Sequence, residues 1–261
     1  MKGLAPVPFR GGGFAPATSR TGGALALIGL VAIWQVAASA LGNPLFLPSP
    51  AAIASSLYDL VVHGDILAQT GISLLRIAAG WTLGVAAGLA LGLGMGLFTF
   101  ARASGYALVS ALFPIPKIAL LPLMILWFGI GEPSKVATIA LGVFFPTAIS
   151  TANGVESVPR SLIRMAQSFG LPFADIVRKI VLPGATPAIL AGFRISVSIA
   201  LLLVVSAEMI GAEKGIGAFV LQAGNLMRTD QLLAGVVVLS AIGLALARLI
   251  GLAEARLVGW R

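Results

Sequence analysis

The segment RMAQSFGLPFADIVRKIVLP, residues 164–183, is a short charged stretch between long apolar runs. Gly170 and Pro172 predict a break between two helical pieces, because glycine ends helices and proline suits a first helical turn. Leu182 and Pro183 are predicted to close the second piece. A simple turn would be enough for a chain that only had to re-enter a bilayer. So structured a connection therefore indicates a docking element.

The composition is that of a polytopic membrane protein. Of 261 residues, 58% are hydrophobic and 10% are charged, against about 45–50% and about 25% in soluble domains. The absence of cysteine excludes disulfide frameworks and thiolate metal sites. The single histidine, His63, excludes a histidine cluster. The net charge of +8 is more typical of loops rich in Lys and Arg than of nucleic-acid binding.

Six apolar runs are long enough to cross a bilayer, which takes about 20 residues. They predict an all-α integral membrane protein with six transmembrane helices. A short amphipathic helix is expected at 50–63. We expect residues 1–23 to form a flexible cytoplasmic tail, and 24–261 to form the membrane domain with a loop at 156–184. The six runs are 24–41, 77–100, 104–130, 136–155, 185–210 and 231–252.

Positive charges predict the orientation, because cytoplasmic loops carry an excess of Lys and Arg. Twelve of these residues lie on one side of the six spans and three on the other, so both termini and the 156–184 loop are expected in the cytoplasm. The twelve are Lys2, Arg10, Arg20, Arg102, Arg160, Arg164, Arg178, Lys179, Arg194, Arg248, Arg256 and Arg261, and the three are Lys135, Lys214 and Arg228.

The loop itself carries further helix signals. Ser157 is expected to cap the first helix, with Pro159 in its first turn. Asp175 and Lys179 are four residues apart, a stabilising order on the second helix. From the spacing alone, an interfacial helix lying on lipid headgroups remains an equal alternative to docking.

An every-fourth glycine ladder runs through the second span. Small residues at this spacing let helix backbones approach closely in lipid. Four residues overshoot one helical turn by about 40°, so the ladder is expected to reach more than one neighbour. Close packing is the favoured interpretation, and a sliding surface is the alternative. The ladder is Gly80, Gly84, Gly88, Gly92 and Gly96.

Ionisable groups within or near spans are candidates for the pathway, because burying a charge in lipid is costly. Lys117 could attract an anionic solute, although a side chain that snorkels, or that pairs with a carbonyl freed by Pro114 or Pro116, is favoured. Glu208 could line an outer gate, although pairing with Lys214 or Arg228 is favoured. Arg76 and Arg194 are expected to be interfacial anchors.

Prolines and serines add further candidates for the pathway. Pro114, Pro116 and Pro122 are expected to break the third span, which would place it near a cavity. Ser198 offers a hydroxyl that could line the same pathway. A serine bonded to its own helix backbone is the commoner outcome.

The 164–183 segment resembles the cytoplasmic loop of the binding-protein-dependent ABC importer permeases. That loop opens with Glu-Ala-Ala and has glycine at its seventh place and Leu-Pro at its close. Gly170 and Leu182-Pro183 are in register, as is the aliphatic Ile180 at the seventeenth place. Arg164 and Met165 stand where Glu and Ala are usual, which reverses the charge at the opening of the loop. Only the last Ala of the three, Ala166, matches.

The resemblance extends over most of the spans. There the sequence is similar to the nitrate/sulfonate/taurine branch of the family. It rests on LPLMILWFGIGEPSKVATIALGVFFP at 121–146, LAGFRISVSIALLLVVSAEMIGAEKGIGAFVLQA at 190–223, FLPSPAAI at 46–53 and the closing Trp260-Arg261. It implies a type I ABC importer permease fold in the plasma (inner) membrane, and translocation of a nitrate, sulfonate, taurine or similar anion.

The resemblance also implies the partners: a second permease copy, a cytoplasmic ABC ATPase dimer and an external solute-binding protein, with no nucleic acid. No GxxxxGK[ST] occurs in the chain, so ATP and Mg are expected on the partner ATPase and not on this chain. The family's loop is a coupling helix that docks on the ATPase. That role carries over to Arg164, Met165, Ala166, Gly170, Leu171, Asp175, Leu182 and Pro183.

Two other classes of function compete with this reading. A stand-alone secondary transporter would be expected to carry internal repeats and acidic residues at mid-membrane. The sequence has no clear repeat. A membrane enzyme would need a cluster of His, Cys or carboxylate groups, and the sequence shows none.

Overall fold

The computed structural model describes residues 20–257, and every regular element in that range is helical. A 3₁₀ turn (Lys117–Leu120) and a π-helical turn (Val177–Val181) link some of the helices. The helices are α1 (Arg20–Leu41), α2 (Pro50–Val62), α3 (Ile66–Leu97), α4 (Thr99–Leu112), α5 (Leu121–Phe128), α6 (Glu132–Glu156), α7 (Arg160–Ser168), α8 (Phe173–Ile176), α9 (Leu182–Gly211), α10 (Ile216–Asn225) and α11 (Thr229–Leu257).

Five of the six predicted spans are single runs of helix, and the other is bent. The helices Thr99–Leu112 and Lys117–Phe128 meet at 86° and together make up the third span. Two predicted boundaries are wrong. α3 begins at Ile66, well before residue 77, and α1 begins at Arg20, inside the predicted tail. Residues 1–19 of that tail lie outside the described part of the chain.

The core of the membrane domain is formed by α3, α6 and α9. All five glycines of the ladder face α6, so the expectation that they reach more than one neighbour is wrong. A Cβ added at Gly88 would lie 2.7 Å from the carbonyl oxygen of Phe144 and 2.8 Å from Cβ of Thr147. The ladder stays on one neighbour because α6 presents its own row at the same four-residue spacing. That row is Ile139, Val143, Thr147, Thr151 and Val155.

The bend in the third span lies at two of the three expected prolines. α4 ends at Leu112, and the chain becomes helical again at Lys117, after Pro114 and Pro116. Proline has no N–H to continue the ladder of hydrogen bonds. Pro122, in contrast, lies in the first turn of α5, where proline is well tolerated, so its expected part in the break is wrong.

The first helix of the loop ends as predicted but does not begin as predicted. Gly170 has φ +71°, and its N–H donates to the Gln167 carbonyl at 2.9 Å, while the N–H of Leu171 donates to the Ala166 carbonyl at 3.1 Å. These two bonds form a glycine C-cap. The Ser157 hydroxyl donates to Gly154 at the end of α6, so the predicted Ser157 cap of α7 is wrong.

The second helix of the loop does not close at Leu182 and Pro183. It continues through the π-helical turn into α9 without a break, so that Phe173–Gly211 is one long helix. The Leu182 N–H bonds to the Val177 carbonyl, five residues back. This wider turn stands directly before Pro183, which has no N–H and needs room for its ring.

Candidate functional site

One side of α7 is apolar and exposed. Leu162, Met165 and Phe169 are 43%, 51% and 76% exposed, and their spacing of three and four residues puts them on one side of the helix. We call these three residues the outer stripe. Arg160 and Arg164 are also exposed on α7. α7 thus exposes an apolar side and, on its other side, two positive charges, at the end of the bundle that holds α7, the loop end.

The edge of α7 next to the outer stripe is buried against the membrane domain, since Ala166 is four residues from Leu162 and three from Phe169. Ala166 is 3% exposed and belongs to a core cluster with Val155, Ile176 and Val181. The expected contact of Ala166 with a partner protein is therefore wrong, because its side chain already packs inside the chain. Leu171 packs against the same cluster.

The remaining residues expected in the loop site differ in exposure. Gly170 is exposed, while Leu182 and Pro183 are half-buried within the continuous helix. Asp175 accepts a hydrogen bond from Lys179 at 3.0 Å, the four-apart pair that the sequence predicts.

An ionic group that is buried except at Glu132, which we call the Arg76 cluster, joins three helices at the other end of the bundle, the cluster end. It consists of Ser73, Arg76, Glu132 and Glu208. Arg76 is 5% exposed and Glu208 is fully buried. Arg76 Nε donates to Glu132 Oε2 at 2.6 Å, its Nη2 donates to the other oxygen, and its Nη1 donates to Glu208 Oε1 at 2.8 Å.

Two sequence interpretations are corrected by this cluster. Arg76 is not an interfacial anchor, because α3 begins at Ile66 and carries Arg76 into the bundle. Glu208 does not pair with the side chain of Lys214 or Arg228. It accepts hydrogen bonds from the Ser73 hydroxyl and the Gly217 N–H, besides Arg76.

The connection from α9 to α10 closes over the cluster. Gly215 has φ +119°, and a Cβ there would lie 2.5 Å from Glu208 Oε1 and 2.6 Å from Arg76 Nη1. Arg76 Nη1 also donates to the Lys214 carbonyl at 2.6 Å. Only glycine leaves room for this approach, so the loop and the ion pairs form one packed unit.

All three N–H donors of the Lys117 ammonium bond to carbonyls at the bend in the third span. Nζ donates to the carbonyls of Leu112, Phe113 and Ile115 at 2.9, 2.8 and 2.7 Å. It also lies 4.5 Å from the ring centroid of Phe145. The carbonyl of Leu112 has lost its helical partner because Pro116 has no N–H. Lys117 therefore holds the end of α4 and has no N–H left for a solute.

The other polar candidates are also bonded within the chain. The Ser198 hydroxyl donates to the Arg194 carbonyl of its own helix at 3.4 Å. Arg194, expected to be an anchor, pairs with Glu254 of α11 at 2.6 Å. Within residues 20–257 there is no group of three His, Cys, Asp or Glu side chains able to hold a metal.

Comparisons with known proteins identify the family. Residues 83–259 match the model of the family described as "Binding-protein-dependent transport system inner membrane component". The taurine transport system permease protein TauC of Escherichia coli is 37% identical over 86% of this chain and 83% of its own. The aliphatic sulfonates transport permease protein SsuC of the same organism is 34% identical over 83% and 82%.

Solved structures show the same fold. A chain of the MetNI methionine ABC transporter superposes with a TM-score of 0.58 at 24% identity, covering 71% of this chain and 91% of its own. A chain of an amino acid ABC transporter superposes with a TM-score of 0.56 at 18% identity, covering 73% and 93%. The expected type I ABC importer permease fold is confirmed.

Proposed function

This chain belongs to the family of binding-protein-dependent transport system inner membrane components, and we propose that the solute it carries is taurine or another small organic sulfonate. It is the permease subunit of an ABC importer, a multi-pass protein of the inner membrane and not an enzyme. It works with an ATPase and a solute-binding protein.

The names of two relatives carry the proposal for the solute. Taurine and aliphatic sulfonates are both small molecules with a sulfonate group, and permeases named for them align along most of this chain. Nitrate, the other anion of the branch, is the second choice because neither name refers to it.

The exposed side of α7 supports a proposal for the ATPase contact. The outer stripe would enter a groove of the ATPase, and Arg160 and Arg164 would be available for contact on the other side of α7. Arg164 and Met165 replace the usual Glu and Ala, so the opening contact would be cationic and apolar. Ala166 and Leu171 would support α7 from within, and Gly170 would fix its end.

The proposed assembly is a homodimer of this permease on an ATPase dimer, which binds ATP and Mg. Both termini and the loop end would face the cytoplasm. The sequence assigns twelve of fifteen Lys and Arg residues to that side of the spans, and positive charge favours the cytoplasmic side. The cluster end would face the binding protein. ATP binding and release would shift the permeases between inward- and outward-open arrangements.

A growth assay tests the proposed solute. The permease, its ATPase and its binding protein would be expressed in a bacterium that lacks its own sulfonate uptake, with taurine or ethanesulfonate as the sole sulfur source. We expect growth that requires all three proteins. No growth on any alkanesulfonate, with the three proteins present in the membrane and periplasm, would contradict the proposal. Deleting residues 164–174 should abolish growth.

A further inference from the structure

Lys135 is a buried cation with hydrogen-bond donors to spare. It lies in the first turn of α6 and is 4% exposed. Its Nζ donates to the Gly131 carbonyl at 2.9 Å, which is its one hydrogen bond within the described chain. An ammonium has three N–H donors, so two remain for a ligand. A buried charge in a membrane protein is a candidate for function.

The carboxylates of Glu132 and Glu208 accept hydrogen bonds from groups other than Lys135. None of the ion pairs within residues 20–257 includes Lys135. Glu132 gives both oxygens to Arg76, and Glu208 accepts from Arg76, Ser73 and Gly217. Because none of the ion pairs in the described range includes Lys135, neither carboxylate lies within 4 Å of its ammonium. They act on Lys135 only as more distant charges, and they leave its two donors free.

An open cavity lies beside this ammonium. Its volume is about 680 Å³, within the range of small-molecule sites. Arg76 and Lys135 line it, together with the connection from α9 to α10 and apolar side chains such as Ile72 and Val136. The positive N-terminal end of α6 lies at the same place and favours a negative group.

We propose that this cavity is a transient site for the sulfonate group of the transported solute, with the two free donors of Lys135 as its ligands. This inference rests on the proposed function above. Charge alone would not hold the solute firmly, because the lining cations Arg76, Lys135 and Lys214 are balanced by Glu132, Glu213 and the nearby Glu208. Weak binding is what a transport site requires, since the solute must also leave.

Comparison with Lys117 shows which property of Lys135 matters. Both lysines lie in apolar spans, but the three donors of Lys117 all reach carbonyls. The difference between the two is therefore donor capacity beside a cavity, and not charge as such.

A labelling experiment on the full permease–ATPase complex tests binding directly. Lysines would be acetylated with N-hydroxysuccinimidyl acetate at constant ionic strength in potassium chloride, and the rate at Lys135 would be read by peptide mass spectrometry. We expect ethanesulfonate to slow acetylation of Lys135 about threefold when present at twice its Kd. Lys179, which is exposed at the loop end, should react at an unchanged rate. No protection of Lys135, or equal protection by additional chloride, would overturn the proposal.

Transport gives the second readout. Lys135→Met should lower the rate of ethanesulfonate uptake about tenfold or more, since a charge-assisted hydrogen bond is lost. Lys135→Arg, which keeps donors and charge, should retain most of the rate, and Lys117→Met is the matched control. Uptake by Lys135→Met at the wild-type rate would overturn the proposal. Wild-type complex that moves no sulfonate would instead refute the proposed function.

Discussion

The two ends of the bundle satisfy their charged and apolar groups in opposite ways. At the cluster end, Arg76 and Glu208 are buried and bonded to each other and to their neighbours. At the loop end, the outer stripe of α7 is exposed, and so are Arg160 and Arg164 on the same helix. The Arg76 cluster is bonded within the chain, whereas the outer stripe is left exposed and would be covered by the ATPase under the proposed function.

This difference separates residues that maintain the permease from residues that act on something else. A change at the Arg76 cluster should affect folding first and transport as a consequence. A change at the outer stripe should leave folding intact and affect assembly. Lys135 is the exception at the cluster end, because it is buried but not fully bonded.

The largest effect is expected at the buried ion pair. Glu208→Ala would leave the guanidinium of Arg76 buried without one of its two carboxylates, and losing one partner of such a pair costs about 3–5 kcal/mol. We expect little folded protein, measured by size-exclusion chromatography of a fluorescent fusion. Glu213→Ala, at an exposed glutamate nearby, is the matched control and should behave as wild type. Equal yields of the two variants would show that the cluster end is not what holds the chain together.

A smaller loss of stability is expected in the glycine ladder. Gly88→Ala places a methyl group against the backbone of α6, and such overpacking costs about 1–3 kcal/mol. The melting temperature in detergent should fall.

Gly71→Ala provides the comparison on the same helix. Nothing lies within 4 Å of a Cβ at Gly71, and alanine favours a helix by about 0.5–1 kcal/mol. Its melting temperature should stay or rise. If Gly88→Ala melted no lower than Gly71→Ala, the close packing of α3 on α6 would be refuted.

At the loop end, Phe169→Asp should weaken ATPase binding and leave the melting temperature of the isolated permease unchanged. Phe169 is 76% exposed, so the chain itself loses no packing. A tenfold loss of affinity corresponds to about 1.4 kcal/mol. Ser161→Asp, on the same helix but off the outer stripe, is the control. Binding of both variants to the ATPase would be measured by co-purification. Unchanged binding by Phe169→Asp would remove the outer stripe from the interface.

The smallest effect is expected at Lys117. Lys117→Met frees the carbonyls at the end of α4, and a net hydrogen bond contributes about 1 kcal/mol. We expect a slightly lower melting temperature and an unchanged half-saturating concentration for sulfonate uptake. A several-fold increase in that concentration would return Lys117 to the pathway.

The sequence predicts local features of this chain better than contacts between distant helices. The spans, the break at Pro114 and Pro116 and the helix stop at Gly170 are each signalled by residues within one or two turns. Nearby residues do not signal the partner of Glu208, because Arg76 is 132 positions away along the chain and no local pattern connects the two. An arginine and a glutamate that each lie within an apolar run are a hint of pairing, but many pairings satisfy it.

Two wrong predictions for the 164–183 segment have the same cause. Ala166 lies on a nine-residue helix, and which side of so short a helix is buried depends on what packs against it. Leu182 and Pro183 are a reasonable stop signal, but a π-helical turn before the proline lets the helix continue. Both outcomes are decided by the tertiary packing of α7 and α8 on the ends of α6 and α9.

Uptake by reconstituted vesicles tests the central claim most directly. The permease–ATPase complex would be placed in liposomes with ATP inside and the binding protein with radiolabelled taurine outside. We expect accumulation that requires ATP and the binding protein, and that disappears with Phe169→Asp although the permease still folds. Accumulation by the permease alone, driven by an ion gradient without the ATPase, would contradict the account.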